Sequence, residues 1–187
     1  MNTIPEIVAA LTSSEGSQRA AALEAASKLG APGIEAIAPL LAHSETEHRR
    51  AAQRALGGIV RQAGATGKLG QPAAAAEGAL LASLARHSDE QARRDIVWFL
   101  SEVGQADTVK ALANLLDHAG LREDARCALE RIPGNASLSA LKAGFNRAPE
   151  EFKFALAESL RKRGETVSGY PSQRLVPTRD TEVQPVA

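Results

Sequence analysis

The chain has 187 residues, with 22 Lys and Arg against 22 Asp and Glu, so its formal net charge is zero. A neutral chain lacks the global field that draws a protein onto nucleic acid or anionic lipid, and a single cysteine, Cys127, excludes an intramolecular disulfide and suits a reducing compartment. Hydrophobic residues make up 44% of the chain but aromatic residues only 3%; the apolar mass is mostly Ala and Leu, strong helix formers, which predicts an all-α protein.

The N-terminal MNTIPEIVAALTSSEG has no basic start, and Pro5 and Glu6 break its apolar run. It does not read as a secretory leader, and no later stretch approaches the roughly 18 apolar residues of a membrane span. A cytoplasmic protein is expected. The first helix is predicted over 4–12, opened by a capping box at Thr3-x-x-Glu6 with Pro5 in its first turn. A second follows over 15–29 and a third over 33–43. The fourth spans 45–63, with a capping box at Ser44-x-x-Glu47. Inside it, Gly57-Gly58 costs roughly 2 kcal/mol against two alanines, so a close helix approach or a kink is expected there. Next comes AGATGKLGQP, where Gly64, Gly67, Gly70 and Pro72 predict a non-helical excursion carrying the charge of Lys68; it is either a connector or a contact loop. Helices are then predicted over 73–87, 89–103 (capping box Ser88-x-x-Gln91), 107–118, 121–132, 136–147 and 149–163. Gly30, Gly104 and Gly164 close three of the helices in the left-handed terminal position, and Pro133-Gly134 closes a fourth.

These helices keep a rhythm. The apolar residues Leu11, Leu41, Leu84, Leu116 and Phe145 lie 30, 43, 32 and 29 residues apart, and the basic residues Arg19, Arg49, Arg93, Arg122 and Lys153 lie 30, 44, 29 and 31 apart. Seven residues after each basic position stand Ala26, Leu56, Leu100, Leu129 and Leu160; ten after stand Leu29, Ile59, Val103, Ile132 and Arg163. Spacings of seven and ten share one side of a helix. Each period is therefore a first and a second helix, and an amphipathic pair of this kind buries its apolar face only by stacking on the next. The expected architecture is an α-solenoid of about five antiparallel helix pairs over 1–164, followed by an extended tail over 165–187. In the tail, Pro171, Pro177 and Pro185 forbid a continuing helix. Tyr170, Leu175 and Val176 either fold back over the fifth pair or leave the tail free.

The stretches GIEAIAPLLAHSETEHRRAAQRALGGI and LASLARHSDEQARRDIVWFLSEVG resemble HEAT repeats, in particular the short bacterial kind first noted in phycobilisome lyase subunits. The resemblance covers about 1–164. It implies a binding and scaffolding architecture, and a basic ladder that links neighbouring repeats. It does not imply a particular activity, which has to be argued from sites.

The ladder also has a local reading: Glu15–Arg19, Glu45–Arg49 and Asp89–Arg93 place acid before base at i,i+4, the favourable helical orientation. Arg49, Arg50, Arg54, Arg93 and Arg94 form the candidate binding patch, with Arg61 beside it, and Trp98 is the candidate aromatic contact; of Trp98 and Phe99, at least one ring is expected in the core. His43, His87 and His118 end first helices, where the macrodipole favours them without a ligand. No Cys-x-x-Cys or His-Glu-x-x-His accompanies them, and the His-Glu dipeptides of HEAT-like deoxyhypusine hydroxylases are absent from the chain. No metal or cofactor is expected. Cys127 reads as a small packed residue. The leading functional expectation is a non-catalytic module whose second-helix surface docks a protein partner, with nucleic acid and membrane disfavoured. The alternative is a HEAT-like enzyme subunit, bilin-lyase-like or nucleic-acid-modifying, using a pocket around Trp98, Asp95 and Arg94.

Overall fold

A computed structural model describes residues 3–65, 67 and 70–172, and among these residues the protein is all-helical, with no strand. The helices are α1 (Ile4–Leu11), α2 (Gly16–Ala26), α3 (Gly30–Ile37), α4 (Thr46–Ala65), α5 (Gln71–Arg86), α6 (Glu90–Val103), α7 (Ala106–Leu115), α8 (Arg122–Arg131), α9 (Asn135–Arg147) and α10 (Glu150–Lys162). None of them is long and apolar enough to cross a membrane.

The helix starts show where local chemistry decides. Thr3 and Glu6 form the expected capping box around α1. Ser88 does not cap α6; the cap is Asp89, whose carboxylate accepts from Ala92 N at 2.7 Å, and an anion at a helix N-terminus is the stronger choice. Likewise α4 begins at Thr46, so Ser44 lies too far upstream to serve as its cap. The α3 helix tightens into a 3-10 turn over Ala38–Ala42, because Pro39 has no N–H to continue the α ladder. Gly30, Gly134 and Gly164 adopt the left-handed region, but Gly104 does not: its backbone is extended (φ −67°, ψ 145°). Glycine is required there by crowding, since a Cβ would lie 2.5 Å from Thr108 Cγ2.

The helices on either side of the predicted excursion reach further into it than expected. Helix α4 runs through Gly64 to Ala65, and α5 starts at Gln71 with Pro72 in its first turn, where the missing N–H is not needed. The additional residues of the irregular period therefore lengthen both helices. Lys68 lies outside the described residues, as do Leu175, Val176, Pro177 and Pro185.

Contacts follow chain order. Helix α1 packs on α2, α3 on α4, α5 on α6, α7 on α8 and α9 on α10; in addition α1–α3–α5–α7–α9 touch serially, as do α2–α4–α6–α8–α10. The row seven residues beyond the ladder (Ala26, Leu56, Leu100, Leu129, Leu160) is buried throughout. Of the first-helix row, Leu11, Leu41, Leu84 and Leu116 are buried and Phe145 is partly so. The Gly57-Gly58 pair lies where α4 meets both neighbours: a Cβ on Gly58 would lie 3.4 Å from Ser27 Cβ, and one on Gly57 would lie 3.7 Å from Phe99. Both are ordinary contact distances, so packing does not demand glycine at either position, and α4 continues through the pair without the expected kink.

Polar clamps join helices across this packing. Buried Glu77 on α5 accepts from Gln105 N (2.7 Å), Thr108 N (3.2 Å) and Thr108 Oγ1 (2.7 Å), satisfying the start of α7. Arg163, the polar exception in the row ten beyond the ladder, donates to the carbonyls of Leu129, Ile132 and Gly134 at 2.8–3.0 Å, closing the end of α8. Beyond α10, Tyr170 stacks edge-on against Phe145 and Phe154, and Arg161 donates to its carbonyl at 2.8 Å. The segment up to Ser172 therefore folds back over the last two helices.

Candidate functional site

The predicted ion pairs of the basic ladder do not form. Arg19 donates to the carbonyls of Ser13 (2.7 Å) and Ser14 (2.8 Å), and Arg49 to those of His43 (2.7 Å) and Ser44 (2.9 Å). The acids fail as partners because they stand at or before the first residue of each helix: Glu15 and Asp89 have extended backbones, so the i,i+4 geometry is not available. The guanidinium groups of Arg19 and Arg49 instead satisfy carbonyls of the turn leading into their own helices. The link to a neighbouring helix appears only at Arg122, which lies over the Phe152 ring (4.9 Å) and reaches Glu151 at 3.4 Å. Arg93 is the exception: its Nε is buried without a hydrogen-bond partner.

Of the remaining candidate residues, the fold collects some and disperses others. Arg50 is exposed and pairs with Glu47 at 2.7 Å. Arg94 turns toward α8, with its Nη2 2.6 Å from Glu90 and 3.0 Å from the Gly120 carbonyl. Arg54 and Arg61 stand exposed on α4, and neither has an acidic partner among the described residues. Trp98 is 56% exposed, whereas its neighbour Phe99 is buried. No other large hydrophobic residue is exposed among the described residues.

Trp98 stands between two hollows. One, of about 330 Å³, lies between α4 and α6 and is lined by Gln53, Arg54, Gly57, Arg61, Asp95 and Phe99 as well as Trp98. The other, of about 140 Å³, lies toward α8 and is lined by Arg94, Val97, Ser101, Asp124, Cys127 and Ala128. Of the residues grouped with Trp98 in the sequence, Asp95 lines the first hollow and Arg94 the second. Arg131 lies over the indole, 4.3 Å from its centroid, and is held by Glu102, an arrangement worth about 0.5–1 kcal/mol at an exposed site.

Asp95 bridges the wall of the first hollow. Its Oδ2 accepts from Gln53 Nε2 at 2.7 Å and its Oδ1 from Gln91 Nε2 at 3.2 Å. Burial pushes its carboxyl above the ordinary value, outweighing these two hydrogen bonds, and the charges of Asp89 and Asp124 add to the rise. Cys127 is half-buried, and burial also raises its thiol despite the adjacent Arg126, so it is not poised as a nucleophile.

His43 packs edge-on against His48 (4.5 Å between centroids), and its Nδ1 accepts from Glu45 N at 3.0 Å. His87 and His118 do not join them: no group of three or more potential metal ligands exists among the described residues. The sequence reading missed Glu77, Arg163 and the Asp95 bridge. For Glu77 a signal was present, as the lone acid in the apolar PAAAAEGALLASL; for the Asp95 bridge, which joins residues 42 apart, there was none. No protein-family model matches the chain, and no curated protein sequence matches it.

Proposed function

We propose that the chain is a HEAT-like solenoid of five helix pairs acting as a non-catalytic interaction module, with the surface of α4, α6 and α8 presented to a protein partner. The architecture draws support from the two serial rows of helix contacts and from the buried rows at a common spacing. The observation that carries the docking reading is Trp98: a large aromatic side chain left 56% exposed on the second-helix surface, between two hollows. Tryptophan and arginine are the residues most enriched in the energetic centres of interfaces, and Arg54, Arg61 and Arg131 surround it. The reading places the protein in the cytoplasm and assigns it no metal or cofactor.

The test is photo-crosslinking in cells from p-benzoylphenylalanine placed at Trp98, with Lys110 on the exposed face of α7 as the control position. A discrete protein adduct from position 98, absent from position 110, is expected. Equal labelling from both, or none from either, would overturn the reading.

The second reading is an enzyme subunit acting on a bilin or a nucleic acid, with Asp95 as its proton donor. The raised carboxyl of Asp95 is the direction a proton donor needs. That reading predicts a shift of Trp98 emission on titration with a tetrapyrrole or a nucleotide, and an unchanged spectrum removes it.

A further inference from the structure

We infer that the hollow between α4 and α6 receives a peptide segment in which acidic residues flank an apolar one, an inference that rests on the docking reading and specifies its partner. Gly57, on α4, contributes no side chain to the hollow, and the exposed Arg61 guanidinium lies beside it: a Cβ on Gly57 would come 3.2 Å from Arg61 Nη1. Trp98 forms the opposite wall. An apolar side chain entering between Gly57 and Trp98 covers part of the exposed indole, removing from water the one large exposed apolar group among the described residues.

Charge selects what flanks that side chain. Arg54 and Arg61 lie seven residues apart on one face of α4, the two rims of the hollow, and neither is neutralised by an acid of this chain among the described residues. Two carboxylates of a ligand, one on each side of an apolar residue, satisfy them with charge-assisted hydrogen bonds. Asp95 occupies the wall between them. Each of its oxygens already accepts from a glutamine and retains a lone pair, which suits a backbone N–H of an extended segment. Asp95 in one hollow and Asp124 in the other oppose a continuous polyanion. A peptide that alternates acid with apolar residue avoids both. A nucleic-acid backbone does not.

The experiment is fluorescence anisotropy of fluorescein-labelled dodecapeptides against the full chain at low ionic strength, with a Glu-Leu-Glu core between Gly-Ser flanks. Comparison probes are the Lys-Leu-Lys and Glu-Gly-Glu versions and an oligothymidylate of the same length. The Glu-Leu-Glu peptide is expected to bind about tenfold or more tighter than the other three, and to weaken as salt screens the exposed arginines. The double variant Arg54→Glu/Arg61→Glu and the single variant Trp98→Ala should each lose that preference, while Arg50→Glu, whose parent side chain already pairs with Glu47, leaves it unchanged within about twofold. All the substituted side chains are exposed, and circular dichroism checks that each variant is folded. Equal binding of the peptides, tighter binding of the oligonucleotide, an undiminished preference in the double variant, or no binding overturns the inference. A position-98 adduct found without any Glu-Leu-Glu preference sinks this inference alone; absence of both sinks the docking reading with it.

Discussion

The contact between α4 and α6 and the contact between α8 and α10 join corresponding helices of successive periods, yet they handle charge in opposite ways. Between α8 and α10, Glu130 accepts from Ser159 Oγ at 2.6 Å, Lys162 at 3.1 Å and Arg126 at 3.0 Å. Arg126, with its side chain only 11% exposed, also reaches Glu123. Between α4 and α6 the helices approach through Gly57 and Phe99, one carboxylate is held by two neutral amides, and two arginines remain exposed. The first contact satisfies its charges internally. The second keeps them available on the surface, which is what a docking site requires and a purely structural seam does not.

This contrast can be broken most forcefully in the core beneath it. Leu100→Ala and Leu129→Ala, both at fully buried positions on α6 and α8, should each cost about 2–5 kcal/mol in denaturant unfolding. If either variant unfolds like the parent, that helix does not bury the face assigned to it. The next effect should distinguish the contacts themselves. Glu130→Ala removes the acceptor of two cations and a hydroxyl and should cost about 1–3 kcal/mol, whereas Arg54→Ala, with no partner among the described residues, should stay within about 0.5 kcal/mol. Equal losses would erase the distinction.

The two carboxylates also predict opposite responses to pH. Burial raises the carboxyl of Glu130, but hydrogen bonds from Ser159 and Lys162 and the charges of Lys162 and Arg126 outweigh it, so the folded value lies below the ordinary one. A depressed acid stabilises the fold above its unfolded pKa, and that contribution is lost as pH falls through the folded value. Asp95 is raised, so its favourable contribution is present below its unfolded pKa and disappears as pH rises through the folded value. Glu130→Gln should therefore be less stable than the parent at neutral pH and Asp95→Asn equal or more stable, with both differences shrinking in acid. Stability curves in urea from pH 7 down to pH 3 check the signs. The smallest effect is expected at Arg131→Ala: loss of a surface cation–π contact, under about 1 kcal/mol, read as a change in Trp98 emission rather than as a shift in unfolding.

The helical architecture was largely legible in the sequence because burial follows the repeat: Leu56, Leu100, Leu129 and Leu160 each stand seven residues after a basic position of the ladder, and all are buried. The helix starts were less legible. Ser88 and Asp89 are both competent caps by type, and which of them serves depends on where the preceding turn ends. The ladder was misread for a related reason, since helix spacing was assumed at residues standing just outside the helix. At the candidate site, Trp98, Arg54 and the neighbouring arginines could be named, but their grouping could not. That Asp95 lines one hollow and Arg94 the other, and that Gly57 lines the first, are properties of α4, α6 and α8 packed together. Residue spacing within a single helix carries no record of them.

The serial order of the helix contacts has a mechanical consequence. When each helix is held chiefly by neighbours close in chain order, the native contacts close short loops, a condition associated with rapid folding. Among the described residues, the main helix contacts pair no helix of the first periods with one of the last, so under tension applied to the two ends of that region no such pairing bears the load. Extension should then proceed as a succession of small yielding events, each releasing a helix or two, in place of one abrupt rupture.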